Sequence, residues 1–218
     1  MTIFVDDKQG SVSALWNEST DPKYTLVLAH GAGAGMGHNF MERLATAISS
    51  LNGHVLRFNF PYMEQGKRAP GSPKVAQHAV LAAKHHAEKK YPTLPLLLSG
   101  KSYGGRMSSH LVADGLAQGV SGLVYFGFPL HAPGRDSKTR ADHLKLISVP
   151  QLFIQGTKDK LANFQLIEEV VKEQSAGEIE VIEEGDHSFK VPKRTGLNPE
   201  QVIQRLADRT NTWALGIV

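Results

Sequence analysis

The sequence predicts an α/β protein, a three-layer sandwich in which helices cover both faces of a mostly parallel, twisted sheet. Short apolar runs typical of buried strands alternate along the chain with segments of helical periodicity. Several of these runs end directly in glycine-rich or polar segments, where parallel sheets bind their ligands. The 218 residues, 41% of them hydrophobic and 21% charged, suffice for one domain, which we expect to span residues 1–218.

The composition excludes several kinds of partner and site. Lys and Arg number 24 against 21 Asp and Glu, and no dense basic run is present, so we expect no nucleic-acid partner. The absence of cysteine excludes disulfides, thiolate metal sites and a cysteine nucleophile. No apolar stretch approaches the ~20 residues that span a bilayer, and the first residues do not resemble a signal peptide. We therefore expect a cytoplasmic protein without a membrane partner, of undetermined oligomeric state.

The first half of the chain predicts a hairpin followed by alternating strands and helices. Two weak strand patterns separated by Gly10 indicate a hairpin at the sheet edge. Apolar residues at helical spacing follow a glycine-rich loop and end at Asn52-Gly53. The predicted elements are strands 2–5, 11–16, 24–29 and 54–58, helices 39 or 40 to 51 and 74–91, and a proline- and glycine-rich loop at 59–73.

The second half continues the alternation and ends in a helix. One segment between two of its elements, rich in glycine and proline, is expected to be irregular. The predicted elements are strands 94–98, 120–126, 150–155 and 178–183, helices 105–116, 139–147, 162–174 and 199–215, and the irregular segment 127–138.

The segment Gly100-Lys101-Ser102-Tyr103-Gly104 fits the G-x-S-x-G pattern between an apolar strand and a helical pattern. The spacing has a steric reason. A strand that turns sharply into a helix brings the two backbones almost into contact, so the residues two positions from the serine must be small. The strained turn exposes the hydroxyl, and the new helix directs its N-terminal amides toward nearby negative charge. Ser102 is therefore the candidate nucleophile.

Two nucleotide-binding motifs also contain glycines like those at position 100 and in the segment 31–37, but the spacing of the glycines in this sequence fits neither motif. A phosphate-binding loop ending at Gly100-Lys101-Ser102 requires a glycine at position 95, which holds proline, and the residues between read as strand. A dinucleotide fingerprint in the segment 31–37 requires its third glycine at position 36 or 38, which hold methionine and histidine.

A serine hydroxyl is a poor nucleophile at neutral pH and needs a base, whose tautomer an acid partner must hold. Asp159 and His187 directly follow two later predicted strands. Since the carboxyl ends of parallel strands meet at one rim, we expect Ser102, Asp159 and His187 to cluster there with the glycine loop. Asp186 adjoins His187, but neighbouring loop residues seldom share the required geometry, so Asp159 is the preferred acid.

The order Ser102, Asp159, His187 and the segments HGAGAGMGH, SGKSYGGRMSS, FIQGTKDKLA and EEGDHSFKVP resemble a small α/β-hydrolase from about residue 24 onward. They are similar to an uncharacterised predicted-hydrolase branch related to the hydrolase-like domains of testis-expressed and NSL-complex proteins. The resemblance implies an α/β-hydrolase fold with Ser102 as nucleophile, His187 as base and Asp159 as acid.

The resemblance also implies an oxyanion hole formed by two backbone amides. One is that of Tyr103, directly after the nucleophile, and the other is that of Ala32 in the glycine loop. Gly31 and Gly33 remain alternatives to Ala32, because the additional glycines leave the path of the loop open.

The implied activity is hydrolysis of a small-molecule acyl ester or thioester through an acyl-serine intermediate, with no metal or organic cofactor. Acyl transfer to a nucleophile other than water remains an alternative, as does a non-catalytic binding or scaffold role, because the fold hosts many functions.

Few residues are left for a lid over the site. Only residues 127 to about 139 separate one strand from the next helix, too few for the large helical lid of many α/β-hydrolases, so we expect a shallow, open site. Four basic residues lie in loops that could reach this rim: Lys67, Arg68, Arg135 and Lys158. The sequence leaves open whether they bind an anionic acyl group or are simply solvated.

Five other histidines are expected to be structural or solvated. His78, His85 and His86 lie on one predicted helix without H-E-x-x-H spacing, so no metal site is expected there. His30 is expected to be structural, and His131 to be an ordinary loop histidine.

Overall fold

The computed structural model describes residues 1–218 and joins all eight predicted strands into one sheet. Its order is β1-β2-β4-β3-β5-β6-β7-β8. The strands are β1 (Thr2–Asp6), β2 (Gly10–Asn17), β3 (Tyr24–Ala29), β4 (Gly53–Phe58), β5 (Leu96–Lys101), β6 (Val120–Phe126), β7 (Gln151–Gly156) and β8 (Gly177–Ile182). β1 pairs antiparallel with β2, and β2 with β4, while every other neighbouring pair is parallel. The mostly parallel sheet and its edge hairpin are thereby confirmed.

Helices lie on both faces of the sheet, as predicted. They are α1 (Asn39–Ser49), α2 (Pro61–Glu64), α3 (Pro73–Lys90), α4 (Tyr103–Ala113), α5 (Phe164–Lys172) and α6 (Pro199–Ile217), with 3₁₀ helices at Thr139–Leu146 and Lys193–Thr195. The buried residues of α1 and α6 join one core cluster, and those of α3, α4 and α5 join the other. Side chains of β3 alternate between these clusters, Leu26 facing one and Val27 the other. The sheet thus separates two hydrophobic cores.

No lid domain follows β6, because its connection to the next 3₁₀ helix contains no helix or strand. No helix is both long enough and apolar enough to cross a membrane.

Several element boundaries differ from the prediction by one to three residues, the predicted helix 139–147 is a 3₁₀ helix, and a short helix was missed. β5 continues to Lys101 because Ser99, Gly100 and Lys101 pair with β6, so tertiary pairing overrides their weak strand propensity. Helix α4 consequently begins at Tyr103 rather than at residue 105. The segment predicted as loop 59–73 contains α2, a single turn begun by Pro61 and too short to show helical periodicity.

Two glycines allow β5 to turn into α4. A Cβ on Gly100 would overlap the backbone of Gly104 and Gly105, and one on Gly104 would overlap the backbone at the end of β3. The first turn of α4 therefore lies directly against the ends of β3 and β5. This contact fixes Ser102, the middle residue between the two glycines, at the rim of the sheet.

We expect Gly100→Ala to lower the free energy of unfolding by about 3 kcal/mol, because the new methyl group meets backbone that no rotamer change can move aside. Urea denaturation measures this loss. Gly71→Ala is the matched control, since a Cβ there meets nothing within 4 Å. Equal stability of the two variants would show that the packing of α4 on β5 is not tight.

Candidate active site

Ser102 occupies the strained turn between β5 and α4. Its φ of 51° and ψ of −113° lie in a region that residues other than glycine rarely adopt. Two hydrogen bonds hold the turn: the Ser102 N–H donates to Phe126 O over 3.1 Å, and the Arg106 N–H donates to Ser102 O over 3.1 Å. The backbone is thus held where the Ser102 side chain faces a cavity at the rim.

The structure brings Ser102, His187 and Asp159 into one chain of hydrogen bonds. Ser102 Oγ lies 2.8 Å from His187 Nε2, and His187 Nδ1 lies 2.6 Å from Asp159 Oδ2. Because an ionised carboxylate can only accept, Nδ1 carries the imidazole proton and Nε2 is free to accept one from the serine. This arrangement can deprotonate a hydroxyl and stabilise the resulting imidazolium.

The Asp159 carboxylate is completely buried and is held by more than the imidazole. Gln155 Nε2–H donates to Asp159 Oδ2 over 2.6 Å, and the Leu161 N–H donates to Oδ1 over 2.7 Å. Gln155 is fixed in turn, because its Oε1 accepts the Phe128 N–H. Sequence reasoning missed Gln155, although a glutamine near the end of a buried strand, four residues before the aspartate, was a usable signal.

Asp186, the rival acid, makes no hydrogen bond to the imidazole. Its Oδ1 accepts the N–H groups of Ser188 and Lys190, at 2.8 and 2.9 Å. The side chain therefore shapes the turn that presents His187, whereas Asp159 contacts the ring.

The candidate oxyanion amides belong to the start of α4 and to the glycine loop, which both adjoin the serine. Tyr103 is the first residue of α4, so its N–H has no acceptor within the helix. The glycine loop passes beside the nucleophile, since a Cβ on Gly31 would lie 3.8 Å from Ser102 Cβ. The Ala32 N–H makes no hydrogen bond within the protein, whereas the Gly33 N–H donates to Tyr62 Oη over 3.2 Å. These contacts favour Ala32 or Gly31 over Gly33.

His30, expected to be structural, is buried beneath the glycine loop. The Phe60 N–H donates to its Nε2 over 3.0 Å, so Nδ1 carries the proton that bonds Gly31 O at 2.8 Å. Burial lowers the pKa of His30 to about 4, which keeps the ring neutral, and the bond to Gly31 opposes that shift only in part. A neutral His30 thus ties the loop to the segment after β4.

His131 is also a buried connector and does not line the cavity. Its Nε2 accepts the Asn163 N–H over 2.7 Å, and its Nδ1 bonds Ala132 O at 2.9 Å. It links the segment after β6 to the segment after Asp159, as expected for a structural loop histidine.

The cavity above Ser102 holds about 840 Å³, a volume typical of a small-molecule site. One wall comes from α1 and the other from the segment 187–203, which follows β8. The prediction considered only the connection after β6, whereas the wall comes from the last connection of the chain. Half of the lining residues are hydrophobic, among them Phe40, Phe189 and Leu197.

None of the four basic residues proposed to meet an anionic acyl group lines this cavity; they are Lys67, Arg68, Arg135 and Lys158. The lysines and arginine that do line it are Arg43, Lys101 and Lys190. Arg43 is bonded to Glu200 at 2.8 Å. Loop position along the sequence therefore does not identify which cations reach the site.

A protein-family model described as an α/β-hydrolase domain matches residues 22–215. Among solved structures, the chain is similar to an α/β serine hydrolase homologue from Coxiella burnetii, with 19% identity, a TM-score of 0.75 and 96% of each chain covered. It is also similar to an α/β serine hydrolase without a lid from Xanthomonas campestris, with 20% identity, a TM-score of 0.72, and 96% of this chain and 93% of that one covered.

A third similar structure is Est1E from Butyrivibrio proteoclasticus with ferulic acid bound. Its identity is 14% and its TM-score 0.78, with 100% of this chain and 98% of that chain covered. At these identities the structural likeness establishes a shared fold.

His30 should make the protein less stable in mild acid. The folded pKa of about 4 lies below the ordinary value of 6.5, so the unfolded chain binds a proton at this site more readily as pH falls from 6.5 toward 4. We expect this residue to account for a loss of about 2 kcal/mol of stability between pH 7 and pH 5.

Urea denaturation of the wild type and His30→Gln at both pH values isolates that loss, which the variant should lack. His85→Gln removes an exposed histidine instead and should follow the wild type. The same pH dependence in all three proteins would contradict the assignment.

Proposed function

The chain belongs to the α/β-hydrolase domain family, and on that premise we propose that it is a serine hydrolase that cleaves acyl esters or thioesters. The observation that carries the proposal is the unbroken hydrogen-bond chain from Ser102 through His187 to Asp159, at the edge of a cavity half of whose lining residues are hydrophobic. A serine on a strained turn, a base at its oxygen and a buried acid behind that base are what acyl-enzyme chemistry requires.

In the proposed acylation, Ser102 Oγ attacks the substrate carbonyl carbon while its proton passes to His187 Nε2. Asp159 stabilises the imidazolium through Nδ1–H. The carbonyl oxygen becomes an oxyanion, which accepts hydrogen bonds from the amides of Tyr103 and Ala32. The bond to the leaving oxygen or sulfur then breaks, and that atom takes the proton from Nε2, which leaves an acyl-serine and a free alcohol or thiol.

Deacylation reverses these roles with water. His187 Nε2 takes a proton from water as the water oxygen attacks the acyl carbon. The bond between that carbon and Ser102 Oγ then breaks, and Oγ takes the proton back from Nε2. The products are the free acid and the restored enzyme. No step in this sequence requires a metal or an organic cofactor.

The cavity lining favours a substrate with an apolar acyl or alcohol part. Phe40 and Phe189 stack with ring centroids 5.9 Å apart, and both contribute to the lining with Leu197 and Val202. The ferulic acid held by Est1E is an aromatic acid of a size that such a cavity accommodates.

We also propose that residues 1–218 act as one hydrolase domain, in the branch related to testis-expressed and NSL-complex proteins.

Ser102→Ala should abolish covalent labelling by a fluorophosphonate and lower kcat for short p-nitrophenyl esters by about 10⁶, the rate that remains coming from the oxyanion hole and substrate binding. Mass spectrometry of the labelled wild type should place the phosphonyl group on Ser102. Ser11→Ala, at an exposed position of the edge hairpin, is the control and should keep full labelling. A folded wild type that neither reacts with the probe nor hydrolyses any ester would support the scaffold role instead.

Asp159→Asn should lower kcat by about 10⁴, because the amide no longer holds the imidazole in the required tautomer. The measurement is steady-state hydrolysis of a p-nitrophenyl ester at pH 7.5, with circular dichroism to establish the fold. Asp208→Asn, on the outer face of α6, provides the matched charge change. Full activity of Asp159→Asn would exclude this carboxylate as the acid.

A further inference from the structure

The interface between α4 and the 3₁₀ helix Thr139–Leu146 brings four basic side chains together outside the active-site cavity. Arg106 and His110 are four residues apart on α4, so they lie on one face of that helix. Arg140 and His143 are three residues apart on the 3₁₀ helix, a spacing at which side chains are aligned. None of the four lines the cavity. These four residues form the basic cluster.

Contacts of the two histidines join these faces. The rings of His110 and His143 stack, with centroids 3.6 Å apart and planes inclined by 14°. Ser109 Oγ donates its proton to Arg106 O over 2.8 Å and lies 2.7 Å from His143 Nε2, which therefore carries the imidazole proton. The two elements are thus held together at the histidines, and the arginine of each element lies one turn before its histidine.

The two arginines of the cluster have no partner within the protein. The ion pairs that arginines make in this chain belong to Arg43, Arg194, Arg205 and Arg209. Arg106 and Arg140 are nevertheless only partly exposed, and Arg106 Nε is buried without a hydrogen-bond acceptor. A guanidinium in this position is costly, because its N–H groups lose water without gaining an acceptor.

The charges of the cluster oppose one another. Burial lowers the pKa of Arg106, and the charge of Arg140 lowers it further. Burial and Arg106 lower the pKa of His110, which Asp114 opposes only in part. Burial, His110 and Arg106 lower the pKa of His143 to about 3, so both rings are neutral at pH 7. Asp114 is the one carboxylate that opposes these shifts, and a bound anion would relieve the repulsion.

We propose that the basic cluster binds a phosphate group, either as free phosphate or as part of an organic phosphomonoester. A guanidinium presents a planar fork of N–H donors that matches two phosphate oxygens, and the cluster offers two of them side by side. A doubly charged anion would neutralise Arg106 and Arg140 together and supply the acceptors that the protein does not. The inference goes beyond the proposed hydrolysis and does not depend on it.

Arg140→Gln removes one of the two charges and keeps a polar side chain on the 3₁₀ helix. We expect calorimetric titration at pH 7.5 to show saturable binding of inorganic phosphate by the wild type, with a dissociation constant about tenfold higher in Arg140→Gln, because charge-assisted hydrogen bonds are lost. Arg106→Gln should weaken binding at least as much, and Arg140→Gln alone decides the matter if Arg106→Gln does not fold.

Arg135→Gln is the matched control, because Arg135 is an exposed arginine in the segment before the 3₁₀ helix. Its dissociation constant for phosphate should equal that of the wild type. A folded wild type without saturable phosphate binding would overturn the inference, as would equal dissociation constants in Arg140→Gln and Arg135→Gln.

The histidine rings report where the phosphate binds. The NMR signals of His110 and His143, assigned by their absence in His110→Gln and His143→Gln, should move with phosphate concentration along one saturation curve. The signal of the exposed His85 on α3 should stay in place. Movement of the His187 signal alone would place the anion in the active site and would contradict the inference.

Two further probes separate the sources of the phosphate group and its charge class. Phenyl phosphate that binds more tightly than inorganic phosphate would identify a phosphomonoester as the occupant, and equal binding would identify free phosphate. Acetate, a single negative charge, should bind at least about tenfold more weakly, and equal binding of acetate would contradict the proposed class. None of these measurements involves ester hydrolysis, so the phosphate site and the hydrolase function can fail separately.

Discussion

The close contact between the first turn of α4 and the ends of β3 and β5 is the constraint on which the site depends. No Cβ fits at Gly100 or Gly104, and Ser102, midway between them, is forced into a strained backbone conformation. The same contact brings the glycine loop after β3 beside Ser102. One steric requirement therefore sets the position of the hydroxyl, of the free amide at the start of α4 and of the loop that supplies the second candidate amide.

Around this turn, buried polar groups are held by partners that sequence motifs do not include. Gln155 fixes the Asp159 carboxylate, Asp186 shapes the turn before His187, and neutral His30 ties down the glycine loop. Each of these groups satisfies hydrogen bonds that would otherwise be lost on burial. The triad geometry thus rests on a second set of polar residues that belong to the strand ends themselves.

The sequence predicted the architecture well, because its signals are local. Apolar runs and helical periodicity identified all eight strands and the main helices, and the position of Ser102, Asp159 and His187 after strands predicted that they would meet. Helix α2 was missed because a single turn is too short to show helical periodicity in the sequence. The walls of the cavity were not predicted, because one of them comes from the segment 187–203, whose folding back toward α1 has no sequence signature.

By itself the sequence determined the order of strands and helices, the glycine turn at the nucleophile and the set of residues that reach one rim. These follow from the spacing of neighbouring residues and from the geometry of parallel sheets. Only the tertiary structure decided that Asp159 rather than Asp186 bonds the imidazole, that Gly33 donates elsewhere, and that the Lys101 ammonium is buried without a hydrogen-bond partner. Those outcomes depend on contacts between loops that are far apart in the chain. A difference of a few ångströms there decides whether two groups form a hydrogen bond, and no local sequence pattern encodes that distance.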